Sequence, residues 1–71
     1  MMKYYRDFNG STAKIYTKNP THNELIIREG STHSMIVKKV YKSLRGAKIA
    51  LAKYGDSWRE IPSGYSTIAN N

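Results

Sequence analysis

Lysine and arginine side chains are concentrated in one part of this 71-residue chain. Between Glu29 and Asp56 there is no acidic residue, and six bases fall in that interval: Lys38, Lys39, Lys42, Arg45, Lys48 and Lys53. The whole chain has a net charge of +7, so the interval supplies most of its positive field. Ammonium and guanidinium groups bind phosphates and release the counterions around them, so contact with a nucleic acid is the first chemistry these residues suggest.

A second basic group lies near the N-terminus, where lysines alternate with tyrosines: Lys3, Tyr5, Lys14, Tyr16 and Lys18. In a β-hairpin this alternation puts all five on one face. Lysines there can contact phosphates, and tyrosine rings can stack on unpaired bases. The pattern is equally compatible with a purely structural role, in which the tyrosine rings pack on the aliphatic stems of lysines in the neighbouring strand. These five residues and the six bases above are the predicted nucleic-acid-binding residues.

The residue types that usually carry catalysis are few and scattered. His22 and His33 fall in predicted turns, and the five carboxylates stand at no spacing typical of an acid/base pair or a metal site: Asp7, Glu24, Glu29, Asp56 and Glu60. Without cysteine the chain has neither disulfides nor thiolate ligands. A phosphate-binding glycine loop and a nucleophile elbow are also missing. We therefore expect a protein without catalytic activity, metal or cofactor.

The dipeptide Asn9-Gly10 separates two β-favouring runs, residues 3–8 and 11–18. It predicts a hairpin with a two-residue type I′ turn, because both residues accept positive φ. That turn pairs Tyr5 with Lys14. The side of the hairpin that faces the core is then apolar: Tyr4, Phe8, Ala13 and Ile15.

Two further β-type runs, residues 24–29 and 34–41, follow after turn-forming residues around Pro20 and Gly30. In both runs apolar residues occur at odd and at even positions, so both faces of each strand are partly apolar. This is typical of strands covered on both faces. The pattern leaves their register open.

A helix is predicted after Ser43, which is a good N-cap, and Gly55 is placed to end it in a left-handed conformation. One stripe of this helix is apolar at helical spacing: Leu44, Ala47, Ala50, Leu51 and Tyr54. The fold class is therefore α+β, with an antiparallel sheet of three to four strands, including the N-terminal hairpin, packed on one helix in the C-terminal half. The length suits one domain over residues 1–71, with residues 62–71 as a flexible tail.

Ile49 lies on the side of the helix opposite the apolar stripe, with Arg45 and Lys53. Trp58, Ile61 or Tyr65 from the region after the helix can cover it. Otherwise Ile49 forms an exposed apolar spot inside a ring of bases, a natural anchor for a protein partner.

The charge and the Tyr/Lys face favour a small nucleic-acid-binding protein that contacts the phosphates of DNA or RNA. The alternative is a small bacterial or bacteriophage interaction module or inhibitor that docks on an acidic surface of a partner protein through Arg45, Ile49, Lys53 and Trp58. No apolar run approaches the length of a membrane span, and the first residues lack the apolar run of a signal peptide. We expect a cytoplasmic protein with no membrane partner.

Overall fold

The computed structural model describes residues 1–55 and 57–62, in which five strands form one antiparallel sheet and a helix covers one of its faces. The strands are β1 (Met2–Arg6), β2 (Thr12–Asn19), β3 (His22–Arg28), β4 (Met35–Tyr41) and β5 (Arg59–Ile61), and the helix is α1 (Leu44–Ala52). Across the sheet the order is β4-β3-β2-β1-β5. The predicted α+β class is confirmed, with one more strand than expected. Beyond Pro62, the predicted tail lies outside the described residues.

The β1–β2 hairpin closes through a three-residue loop and not through the predicted two-residue turn. The Asp7 N–H donates to the Ser11 carbonyl at 2.9 Å, and the Gly10 N–H donates to the Asp7 carbonyl at 3.0 Å. Gly10 has a φ of 92°, a left-handed conformation that glycine adopts without steric cost. A tight turn followed by one left-handed residue is a common three-residue hairpin loop.

The longer loop makes the predicted register wrong by one residue, so the side chains of β1 exchange faces. Tyr5 pairs with Ala13 and is buried with it under the helix, although it was predicted on the basic face. Tyr4 was predicted in the core and lies on the opposite face. Phe8, also predicted in the core, lies in the loop and is 93% exposed.

A small aliphatic core lies between the helix and one face of the sheet. Its buried apolar residues are Tyr5, Ala13, Ile15, Leu25, Ile27, Ala47, Ala50 and Leu51. Partly buried apolar side chains surround it: Val37, Tyr41, Leu44 and Trp58. Leu51 is the one large side chain among the buried helix residues and is 3% exposed. The predicted stripe is therefore the core surface of the helix over most of its length.

The helix begins as predicted and ends earlier. Ser43 is the N-cap, since its Oγ accepts a hydrogen bond from the Gly46 N–H at 2.9 Å. The C-cap is Lys53, which has a right-handed backbone with a φ of −75°, so the predicted left-handed end at Gly55 is wrong. Tyr54 was expected in the apolar stripe but follows the last helical turn and is 53% exposed.

Strand β4 is an outer strand, and the prediction that strands 24–29 and 34–41 are covered on both faces is wrong. Its apolar residues Met35, Ile36 and Val40 are 44%, 54% and 44% exposed. In β3 only one side is fully buried, at Asn23, Leu25 and Ile27. Nine helical residues are too few to cover more than one face of a five-stranded sheet.

Strand β5 pairs with β1, and a buried carboxylate fixes the chain just before it. Asp7 is 8% exposed, and its Oδ1 accepts hydrogen bonds from the Phe8 N–H at 2.7 Å and from the Ser57 hydroxyl. The bond from Ser57 joins the segment after the helix to the hairpin loop. Arg59 then pairs with Arg6.

The β1–β2 loop also touches the β3–β4 turn, backbone against backbone. A Cβ added at Gly30 would lie 2.7 Å from the Asn9 carbonyl oxygen and 3.0 Å from the Gly10 carbonyl carbon. Only glycine fits at this contact, because the neighbouring atoms belong to the main chain.

Glu29 organises the β3–β4 turn with its side chain. The carboxylate accepts hydrogen bonds from the backbone N–H groups of Ser31 at 3.0 Å and Thr32 at 2.8 Å, and from both hydroxyls. The Thr32 N–H is the main cause that lowers the pKa of Glu29 to about 2, followed by the Ser31 and Thr32 hydroxyls. The negative charge of Glu29 is therefore stabilised by hydrogen bonds within its own turn.

Replacing Leu51 with alanine should lower the free energy of unfolding by about 2–5 kcal/mol, because a buried leucine leaves a cavity. The matched variant Ile49→Ala removes a side chain that is 52% exposed, so it should change the free energy of unfolding by less than about 0.5 kcal/mol. Urea denaturation of both variants measures the difference. Equal losses would mean that the helix does not pack through the Leu51 side.

Glu29→Gln should destabilise the protein at neutral pH, because a neutral amide accepts these hydrogen bonds less strongly than a carboxylate. A carboxyl group whose pKa falls from 4.5 to about 2 on folding stabilises the fold above pH 4.5 and loses that contribution as the pH falls towards 2. The difference between wild type and variant should therefore shrink over this range in thermal melts. Glu24→Gln controls for net charge, and a pH-independent difference would contradict the role of the turn.

Candidate nucleic-acid interface

The sheet face opposite the helix is not covered by any other element of residues 1–55 and 57–62. We call it the open face. Strand alternation and pairing give its residues as Met2, Tyr4, Arg6, Thr12, Lys14, Tyr16, Glu24, Ile26, Arg28, Met35, Lys38, Val40, Arg59 and Ile61. The surface spans all five strands, so it is the broadest uncovered region of the described structure.

The pairing registers align the open face into three cross-strand rows. The central row is Lys38, Ile26, Lys14, Tyr4 and Ile61. The row towards the hairpin loops is Met35, Arg28, Thr12, Arg6 and Arg59. The remaining row is Val40, Glu24, Tyr16 and Met2. Cations, aromatic rings and aliphatic side chains therefore alternate within one continuous surface.

Five cations share the open face with one carboxylate, that of Glu24. The cations are Arg6, Lys14, Arg28, Lys38 and Arg59. Neighbouring strands lie about 4.8 Å apart, so these charges stand close together. Arg6 and Arg59 are directly paired, an arrangement of like charges that destabilises a sheet and that an anion would relieve.

Arg28 is held in place by the turn that follows its strand. Its Nη1 donates a hydrogen bond to the His33 carbonyl at 3.2 Å. His33 has a φ of 62°, an unusual left-handed conformation for a residue with a side chain. The remaining N–H groups of the guanidinium are available to an acceptor outside the protein.

A shallow cavity of about 170 Å³ lies on the open face, lined by Tyr4, Thr12, Ala13, Lys14, Ile26 and Arg28. Thr12 has the smallest side chain of its row, so the larger neighbours on β1 and β3 form the walls. The cavity combines an aromatic ring and an aliphatic side chain with two cations. It can accept a flat, partly apolar group that carries a negative charge nearby.

The predicted bases divide between two opposite sides of the molecule. Lys14, Tyr16 and Lys38 lie on the open face. Arg45, Lys48 and Lys53 are exposed on or just after the helix, and Lys42 precedes it. Lys39 points to the helix side, with its Nζ 5.5 Å from the centre of the Tyr41 ring, and Lys18 is exposed at the irregular end of β2.

Lys3 and Tyr5 do not share a face with Lys14, which corrects that part of the prediction. Lys3 pairs with Ile15, and its Nζ forms an ion pair with Glu60 at 3.3 Å. Tyr5 is 7% exposed. Burial, and after it the negative charge of Glu60, raises the pKa of the Tyr5 hydroxyl. Neither residue is free to contact a ligand on the open face.

Sequence reasoning missed four of the seven cations and tyrosines of the open face: Tyr4, Arg6, Arg28 and Arg59. Tyr4 and Arg6 were misplaced by the register error. Placing Arg59 on the open face requires knowledge of β5, and placing Arg28 there requires the β3–β4 register. The one local signal was the glycine at position 10, which can end a three-residue loop. That loop would have placed Tyr4 and Arg6 correctly on the open face.

The structure also places the histidines and carboxylates of the described residues. His33 lies in a turn as predicted, whereas His22 is the first residue of β3. In residues 1–55 and 57–62 no group of three or more histidine, aspartate or glutamate side chains is arranged to hold a metal ion. No helix in the same part of the chain is long and apolar enough to span a membrane.

Removing the buried hydroxyl of Tyr5 should affect the stability of the protein and not its affinity for a ligand. Its Oη has no hydrogen-bond partner among the described residues, and burying an unpaired hydroxyl costs about 1–3 kcal/mol. Tyr5→Phe should therefore raise the thermal midpoint, or at least preserve it, and leave ligand affinity unchanged. A marked loss of stability would show that the hydroxyl has a partner.

A scan against protein-family models gives no match, and searches of curated proteins and of solved structures find no significant similarity to this chain. Function is therefore inferred from the residues of the open face and their geometry.

Proposed function

We propose that this protein binds nucleic acid without catalysing a reaction, and that the open face contacts the phosphates. The observation that carries the proposal is the set of five cations and two tyrosines, accompanied by one carboxylate, on a surface that no described element covers. Phosphate binding of this kind is independent of sequence and depends on salt. The proposal includes both DNA and RNA.

The cations of the open face are not neutralised by carboxylates of the described chain. Within residues 1–55 and 57–62, the one ion pair joins Lys3 to Glu60, near the helix side of the sheet. Glu29, the residue after β3, directs its carboxylate to Ser31 and Thr32. Phosphates can therefore approach Arg6, Arg28 and their neighbours without breaking an internal salt bridge.

Arginine at three of the five positions favours phosphate as the anion. A guanidinium offers N–H donors in a planar fork that matches two oxygens of a phosphate. Arg6, Arg28 and Arg59 lie in a single row, so a phosphodiester chain that follows this row meets successive donors.

A second candidate function is docking on an acidic protein surface through the helix. Ile49 is 52% exposed and lies among Arg45, Lys48 and Lys53, which is the arrangement expected if the segment after the helix does not cover it. Trp58 is partly buried against the core and so contributes little to this surface. Of the other predicted covers, Ile61 lies on the open face, away from the helix, and Tyr65 lies outside the described residues.

Lysine substitutions on the two sides of the molecule test the first proposal against the second. Lys14→Gln and Lys38→Gln should each weaken binding to DNA and RNA of any sequence. Each should also reduce the slope of log K against log salt by about 0.7 for single strands or 0.9 for duplex DNA, the value of one phosphate contact. The matched helix variants Lys48→Gln and Lys53→Gln should leave the slope nearly unchanged. Fluorescence anisotropy over a salt series measures all four.

The wild-type protein must bind labelled DNA or RNA at low salt, where the electrostatic contribution is strongest. If it binds neither, the nucleic-acid proposal fails and the helix surface becomes the better candidate. If only the helix variants reduce the slope, nucleic acid binds to the opposite side and the assignment to the open face is wrong.

A further inference from the structure

The width of the open face limits the kind of nucleic acid it can meet. Five strands spaced about 4.8 Å apart span roughly 19 Å. The major groove of B-DNA is about 12 Å wide and admits a helix or a two-stranded ribbon, and the minor groove is narrower still. Because β2 and β3 are flanked by β1 and β4 in one sheet, the open face is too wide to enter either groove of undistorted B-DNA.

Binding of a phosphate backbone alone would not involve the non-ionic residues of the open face. In the central row Ile26 stands between Lys38 and Lys14, and Tyr4 lies on the other side of Lys14. Tyr16 is 40% exposed in the next row. Aromatic rings contribute binding energy when a base lies flat on them. In a duplex the faces of the bases are stacked on each other, so only an unpaired strand offers them.

The positions of the two tyrosines agree with separated bases. Tyr4 pairs with Lys14, and Tyr16 is two residues further along the same strand, so the tyrosines are diagonal neighbours. Such neighbours lie about 7–8 Å apart, whereas stacked nucleotides rise by about 3.4 Å. Two adjacent bases that lie on the two rings must therefore be splayed apart.

The shallow cavity beside Tyr4 has the composition of a nucleotide subsite. Tyr4 and Ile26 provide the surfaces for a base, and Lys14 and Arg28 provide cations at the same cavity for its phosphate. Arg28 is already oriented by its hydrogen bond to the His33 carbonyl. Binding there would order few protein groups, since Tyr4, Lys14 and Ile26 are already partly buried.

We infer that the open face binds single-stranded nucleic acid in preference to duplex, with unpaired bases stacked on Tyr4 and Tyr16 and the phosphates on the adjacent cations. This inference depends on the proposed function and specifies the form of its ligand.

Fluorescence anisotropy with the full chain at constant low salt tests the inference. The probes are labelled oligouridine, oligothymidine and random-sequence DNA and RNA duplexes of equal length. The single strands should bind more tightly than the duplexes, and comparison of uridine with thymidine distinguishes RNA from DNA. Tyr4→Ala should weaken single-strand binding about 5- to 140-fold without changing its salt slope, whereas Tyr4→Phe should retain it.

Tyr54→Ala is the matched control, because Tyr54 is exposed just after the helix, away from the open face. Its affinity should equal that of the wild type. Tyr16→Ala is a second variant that does not depend on Tyr4, and it alters a more exposed side chain; single-strand affinity should fall again. Circular dichroism of each variant verifies that the sheet is intact.

Two results would overturn the inference while the proposed function stands. One is equal affinity for duplexes and single strands. The other is unchanged single-strand affinity in Tyr4→Ala and Tyr16→Ala, while Lys14→Gln still reduces the salt slope. If no probe binds the wild-type protein at all, the proposed function itself fails.

Discussion

The left-handed backbone of Gly10 decides the composition of both sheet faces. It adds one residue to the β1–β2 loop, and in a strand a shift of one residue sends every side chain to the other side. With this loop Tyr5 completes the core above Ala13, and Arg6 joins the cations on the side away from the helix. The same hairpin with a two-residue turn would bury Tyr4 and place Lys3 on the same face as Lys14, giving a different charge pattern.

A single short helix leaves this sheet asymmetric. Its alanines allow α1 to lie close to one face, and the aliphatic side chains of β2 and β3 fill the space between them. The other face keeps half-buried apolar residues such as Ile26 between charged neighbours. A small domain gains little stability from such a surface, and the paired arginines at positions 6 and 59 reduce it further. The arrangement is easier to understand if that surface normally meets an anion.

Sequence patterns predicted the parts of this fold that depend on neighbouring residues. The Ser43 cap, the core stripe of the helix and the inward orientation of Ala13 and Ile15 follow from local spacing. The register of β1 could not be obtained that way, because one residue of loop length decides it and Asn-Gly is compatible with both loops. For the candidate site, a lysine count found Lys14 and Lys38. Arg6 was missed through the register error and Arg28 because the β3–β4 register was left open, whereas Arg59 lies on a strand that pairs with one distant in sequence.

The backbone contact between Gly30 and the Asn9-Gly10 loop has a practical consequence for labelling. A side chain added at Gly30 would collide with the main chain of the other loop, so substitutions and insertions at this contact would disturb the pairing that positions Arg28 and Arg6. The turn at the opposite end is different: Pro20 and Thr21 are exposed, and no glycine contact closes it. Because the chain has no cysteine, Thr21→Cys would provide a unique thiol for attaching a fluorophore at the end remote from the paired loops.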